Sequence, residues 1–336
     1  MTDPVKFRFD HVGFITGDVD HAMDTFRALG MTTMERQYAP GEYDIGFLGA
    51  GVDVLFEFQG PPLLAESEEY VARQGHSIER IALSCDDVRQ AYDNLTRAGL
   101  ASAWEPEPFV VAGVTLAIAA GLWTPDGLMI DLVQLVDAEV PRPTRGQRGE
   151  LALHHACYLT DDLARAEDFW VTHFGLTKTY DFTAPLDTED PTGGTRGFIM
   201  LSDPDFDECD HEFSLEIIGG EFDSIDGPAY ERRGPHFDHV CFTTVDVAGV
   251  WQRAVDAGVE PLSEPAYYPE YDATIAWLYD ADGTHIELMS PVPEGVMVDA
   301  HTSGRCSNAW VDDWQRNPAV LPRTGGRPVD VAKDPS

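Results

Sequence analysis

Lysine is nearly missing from this chain: among 336 residues only Lys6, Lys178 and Lys333 are lysines. The 22 basic side chains face 59 acidic ones, for a formal net charge of −37. Such a surface repels a phosphate backbone or an anionic lipid face, which excludes nucleic acid and a membrane surface as partners. Cysteine is scarce too. Cys85, Cys157, Cys209, Cys241 and Cys306 are odd in number, widely spaced and form no CxxC pair. That excludes a disulfide framework and a structural zinc site. No apolar run approaches the length of about 18 residues that marks a membrane-spanning helix, and Met1 to Phe9 carry no signal-peptide pattern. A reducing cytoplasm is the expected location.

What the chain does have is turns and repetition. Its 30 glycines and 23 prolines suit a strand-rich fold, and its 43% hydrophobic content supports a sizeable core. Four segments share one plan of a short apolar strand, an acidic turn, an amphipathic helix and a glycine. They begin at Asp10-His11-Val12-Gly13-Phe14, at Arg80-Ile81-Ala82-Leu83, at His155-Ala156-Cys157-Tyr158 and at Asp238-His239-Val240-Cys241-Phe242. Counted from His11, Arg80, His155 and His239, the closing Gly30, Gly99, Gly175 and Gly258 follow after 19, 19, 20 and 19 residues. Period-two stretches come after each glycine, such as Thr115 to Trp123 and Thr284 to Met289. Each unit therefore reads as β-α-β-β-β. An aspartate opens each helix as its cap, and Gly175 suits the left-handed position that closes one.

These patterns predict an α+β fold of four βαβββ modules in two pairs, each pair a curved mixed sheet forming a cup with helices outside. The Pro-rich Val140–Gly146 linker sets the expected boundary. It separates an N-terminal pair (1–140) from a C-terminal pair (147–295), with a polar tail (296–336) carrying Trp310 and Trp314. An acidic insert, roughly Pro185 to Asp210, is expected to precede the last strand of the third unit.

With four such units the chain resembles the vicinal-oxygen-chelate superfamily, which includes glyoxalase I, bleomycin resistance proteins and type I extradiol dioxygenases. The resemblance spans about Phe9 to Pro291. It implies a metal held by the first strands of two paired units and the last strand of one. With the third and fourth units paired, those positions hold His155, His239 and Glu287. The first and second units offer His11, Arg80 and Asp131, and an arginine there repels a divalent cation, so the N-terminal half is expected to be structural and metal-free.

Two histidines and one carboxylate form a facial triad whose open positions suit a substrate chelating through two adjacent oxygens and, on Fe(II), O2. One divalent metal per chain is expected, Fe(II) first, with Mn, Zn, Co or Ni as alternatives. His285, two residues before Glu287, is placed on the same strand face as a proton carrier or as a partner fixing Glu287. Tyr268, Tyr271 and His236 are further candidates around the site. His154 is expected to face outward, and Cys157 and Cys241 inward.

The resemblance implies an extradiol-type dioxygenase cleaving a catecholic or related vicinal-oxygen substrate, in a protein that assembles with its own copies. Tyr268 and Trp277 stand where that enzyme class carries a histidine acid and a following tyrosine. A redox-neutral, metal-dependent isomerase, epimerase or lyase is the alternative, and a metal-free drug-binding protein a third reading.

Overall fold

A computed structural model describes residues 8–29, 31–39, 43–50, 53–60, 78–111, 114–124, 128–136, 151–160, 162–185, 195–202, 214–219, 236–269 and 272–290. The first unit comprises β1 (Arg8–Ile15), α1 (Val19–Ala28), β2 (Thr32–Ala39), β3 (Tyr43–Ala50) and β4 (Asp53–Gln59). The second comprises β5 (Ile78–Cys85), α2 (Val88–Arg97), β6 (Ala101–Val111), β7 (Val114–Trp123) and β8 (Met129–Leu135). The third has β9 (Leu151–Thr160), α3 (Leu163–Phe174), β10 (Thr177–Pro185), β11 (Thr195–Ser202) and β12 (Ser214–Gly219). The fourth has β13 (His236–Thr243), α4 (Val247–Asp256), β14 (Pro261–Tyr268), β15 (Ala273–Tyr279) and β16 (His285–Met289). The α+β class and the four βαβββ modules stand. Part of the expected insert is strand, Pro185 ending β10 and Thr195–Ser202 forming β11; the rest of it, the linker 140–146 and the tail beyond 290 lie outside the described residues.

Each helix starts where a side chain can take its first unpaired amides. Asp18, Asp87, Asp162 and Asp246 accept from the backbone N–H of His21, Gln90, Arg165 and Gly249. Gly175 closes α3 in the left-handed conformation, at φ 67°. None of the helices among the described residues is long and apolar enough to cross a membrane.

The pairing of the units departs from the expected division at residue 140. The sheets run β14-β15-β16-β13-β1-β4-β3-β2 and β10-β11-β12-β9-β5-β8-β7-β6. Unit one therefore shares its sheet with unit four, and unit two with unit three. The joins are antiparallel, β1 on β13 and β5 on β9. The reason is that repetition defines units but not partners: four near-equivalent first strands can pair in several ways, and side-chain fit at the join decides. One apolar core runs through both sheets. Trp170 and Phe174 of α3 contact Phe242 of β13 at ring separations of 6.0 and 5.7 Å. Each such buried aromatic contributes roughly 1.5–3 kcal/mol.

A polar strut also joins the two sheets. The turn before β16 places Asp282 under β9, where it accepts from Tyr158 Oη (2.9 Å) and Thr160 Oγ1 (3.1 Å) and pairs with Arg165. Beside it Asp280 Oδ1 accepts from the Asp282 and Thr284 amides, while Oδ2 is buried without a hydrogen bond. Burial, then the neighbouring Asp282 charge, pushes the Asp280 carboxyl up to about 7. An acid whose folded pKa is raised holds a proton that the unfolded chain has already lost, so stability falls as pH rises from about 4 to about 7. Asp280→Asn should cancel most of that fall. Relative to wild type it should gain on the order of a few kcal/mol between pH 5 and pH 8, read from urea midpoints at the two values. A variant with the wild-type pH slope would show that Asp280 ionises freely.

Candidate metal centre

The two joins are where the chemistry-bearing side chains meet. At β1/β13 the register slips by one residue on each strand, between Phe9 and Val12 and again opposite Asp238. At β5/β9 the same slips fall between Ile78 and Arg80 and between Ala82 and Leu83, opposite His154. These are β-bulges, which re-aim side chains beside a site. They break strict alternation, so that neighbouring residues such as Asp10 and His11 can touch.

In the first cup four buried side chains converge: His11 of β1, Glu57 of β4, His239 of β13 and Glu287 of β16. His11 Nε2 lies 3.1 Å from Glu57 Oε2 and 3.4 Å from Glu287 Oε2. His239 Nε2 lies 3.3 and 3.4 Å from the same two oxygens, and 3.3 Å from His11 Nε2. Ligands about 2.1 Å from a common ion sit about 3.0 Å apart at right angles and about 3.4 Å apart at tetrahedral angles. The quartet therefore has the dimensions of a divalent metal site. Its Glu287 Oε2 is buried with no hydrogen bond, as a ligand oxygen would be.

The outer contacts are those of metal-ligating imidazoles. His11 Nδ1 donates to Asp10 Oδ1 and His239 Nδ1 to Asp238 Oδ2, both at 2.8 Å. Asp238 Oδ1 accepts from His285 Nδ1 at 3.1 Å, and Gln59 Nε2 donates to Glu57 Oε1 at 3.0 Å. Burial lowers the affinity of both ring pairs for a proton, but the carboxylates outweigh it: Asp10, Glu287 and Glu57 hold His11 well above the usual range, and Asp238, Glu287 and Glu57 do so for His239. Burial likewise acts against Glu57 and Glu287 and is overcome by the two histidines, which lower both. A metal must displace those protons, so its affinity falls as pH drops. Cys241 also lies close to Asp10 and His11. Burial and then Glu287 push its thiol well up.

The expected triad is thus corrected. His239 and Glu287 belong to the quartet, but His155 lies in the other sheet, where its Nε2 is 3.3 Å from Glu216 Oε2. His154 is not outward-facing. The bulge brings its Nδ1 to 2.7 Å from His155 Nδ1, and burial, then His155, pulls its pKa down to about 3. His285 does share the site's face, but its partner is Asp238. Tyr268 borders an apolar cluster of Ile45, Phe47, Cys241, Ala273, Ile275 and Met289, which also includes Trp277. Tyr271 and the side chain of His236 lie outside the described residues. Sequence reasoning missed Glu57 as a ligand and set His11 aside, although Asp-His-Val-x-Phe stands at both 10–14 and 238–242.

Gly13 makes the quartet possible. It sits opposite His239 across the join, and a Cβ on it would lie 1.9 Å from His239 Cε1. The ring cannot yield, being held by Asp238. Gly13→Ala should therefore weaken metal binding by at least the 10–100-fold typical of disturbed outer contacts, in a competition titration against a chromogenic chelator. Unchanged affinity would mean that the join spreads to admit the methyl group.

Comparisons with known proteins place the family and the fold. The family model described as Glyoxalase/Bleomycin resistance protein/Dioxygenase superfamily matches residues 8–132 and 152–288. No curated protein sequence matches significantly. Among solved structures, glyoxalase I from Zea mays is similar at 20% identity and a TM-score of 0.59, over 85% of this chain and 92% of that one. A putative dioxygenase from Bacillus subtilis subsp. subtilis str. 168 is similar at 13% identity and a TM-score of 0.54, over 96% of this chain and 98% of that one. At such identities the likeness is one of fold, whereas the family model covers both halves of the chain. The chain belongs to the Glyoxalase/Bleomycin resistance protein/Dioxygenase superfamily, whose vicinal-oxygen-chelate fold it has.

Proposed function

We propose that the first cup is a redox-neutral metal centre, an isomerase, epimerase or lyase site for a small molecule that presents two adjacent oxygens. The observation that carries this reading is the fourth ligand. In a six-coordinate shell, four protein ligands leave two positions, which one vicinal-oxygen substrate fills. The three-ligand set expected for a dioxygenase leaves a third position for O2. Two imidazoles and two carboxylates suit Zn, Co, Ni, Mn or Fe, and a bound ion of this kind supplies Lewis acidity toward a carbonyl oxygen.

The chain supplies the rest. Phe47 stands opposite Glu57 and Trp277 opposite Glu287 in their ladders, sharing the face of the ligands. Their rings meet His11 and His239 edge-on at 6.3 and 4.8 Å. With Ile45, Ile275 and Met289 they make an apolar wall that limits water around the carboxylates and favours a substrate with an apolar body. α-Hydroxycarbonyl compounds, which present two adjacent oxygens and an acidic α-hydrogen, are the substrate class to try.

The test is to load the protein in turn with each metal and offer an α-hydroxycarbonyl panel and a catechol panel, with an oxygen electrode and product analysis. Turnover of an α-hydroxycarbonyl without O2 uptake is expected. O2 uptake matched to ring-opened product from a catechol would overturn the proposal in favour of a dioxygenase.

A further inference from the structure

The second cup repeats the first position by position. Arg80 of β5, Asp131 of β8, His155 of β9 and Glu216 of β12 stand where His11, Glu57, His239 and Glu287 stand in the first. The bulges are the same, and all three titratable partners are buried or nearly so. The difference is a cation supplied by the chain. Arg80 Nε lies 3.1 Å from Asp131 Oδ2, and Arg80 Nη2 lies 3.7 Å from Glu216 Oε2, the oxygen that is also 3.3 Å from His155 Nε2.

We infer that the Arg80 guanidinium is the resident cation of the second cup, doing by charge what a divalent ion would do in the first, and that the cup around it is a complete metal site but for that one residue. Two carboxylates brought together in a buried floor repel each other and lose hydration unless a positive group sits between them. A planar guanidinium reaches both at once. Burial works against ionisation of Glu216, yet His155 and then Arg80 bring it down to about 2, consistent with a carboxylate held permanently charged by its neighbours. The same position cannot serve as a ligand, because arginine has no lone pair to give and keeps its proton. Occupation by Arg80 therefore also explains why one chain with two equivalent cups would carry one metal.

The inference rests on the metal reading of the first cup only for the choice of ion, and the experiment separates the two. Arg80→His is placed in a His239→Ala background, where the first cup lacks a ligand. His239→Ala alone is expected to hold no metal. The double variant is expected to bind close to one Zn(II) or Co(II) per chain, through the introduced imidazole, Asp131, His155 and Glu216. Its affinity should be 10–100-fold weaker than the wild-type cup's, because His154 replaces the carboxylate that supports His239. With Co(II), a d–d spectrum of nitrogen and oxygen ligation should appear that is absent in His239→Ala. A folded double variant that binds no metal would overturn the latent site.

Arg80→Lys and Arg80→Met test the resident cation without any metal. Lysine, which keeps the charge but not the two-pronged reach, should keep more of the stability than methionine. Methionine, of similar length and no charge, should lower the melting temperature by at least about 5 °C, or fail to fold where lysine folds. Arg80→Met as stable as the wild type would show that the cup needs no cation.

Discussion

Glu57→Ala is expected to strip the protein of its metal, and His155→Ala to leave the metal in place. The contrast follows from where the sheets put the two residues. Glu57 Oε2 lies within 3.3 Å of both His11 Nε2 and His239 Nε2, so removing it takes away a ligand and leaves two histidines facing Glu287 alone. His155 belongs to the other sheet and touches Glu216 and His154. The same loss is expected for His11→Ala, His239→Ala and Glu287→Ala, each exceeding the 10–100-fold effect of outer-contact changes. Metal per chain, measured by plasma emission after gel filtration, decides the matter. Retention in Glu57→Ala together with loss in His155→Ala would restore the triad drawn from the third and fourth units.

That contrast also marks how far the sequence could be read. The modules were legible because each obeys local rules: period-two strands, an aspartate cap, a glycine close. So were His239 and Glu287, since their positions within a module follow from the repeat. Which modules share a sheet was not legible from spacing, because no local rule distinguishes β1 from β5 as a partner for β13. The deciding contacts are long-range, above all Gly13 against the His239 ring. The bulges were invisible for the same reason, being properties of a paired strand and not of a single one. Strict alternation therefore sent His154 outward, where the structure tucks it against His155. A signal for the true pairing did exist. Asp-His-Val-x-Phe occurs in units one and four only, and a join between two like strands calls for like ligands on both.

The quartet is symmetric in its ligands but not in what holds them, and we propose that this asymmetry divides the proton chemistry between the two carboxylates. Glu57 is pinned: its Oε1 accepts from Gln59, two residues along β4. The matching residue beyond Glu287 is Met289, which has no hydrogen bond to offer. Glu287 instead meets the Cys241 thiol, a weaker donor than an amide, so in this proposal it is the carboxylate that takes the substrate proton. His285 is half-buried on the same strand, two residues before Glu287, and tied to Asp238; in this proposal it passes that proton onward. Glu287→Gln keeps an oxygen for the metal but removes the base. It should retain most of the bound metal and lower turnover by about 10²–10⁴-fold, the usual scale for a lost acid–base group. Glu57→Gln should lose less, since its carboxylate already serves as a fixed ligand. His285→Gln should leave metal content unchanged and reduce turnover by about a hundredfold. Exchange of the substrate α-hydrogen with solvent deuterium, followed by NMR on whichever α-hydroxycarbonyl is turned over, separates the steps. Glu287→Gln should slow exchange by the same factor as turnover. His285→Gln should slow the appearance of solvent deuterium more than the breaking of the carbon–hydrogen bond. Full exchange in metal-loaded Glu287→Gln would move the base to Glu57 or to His285 itself.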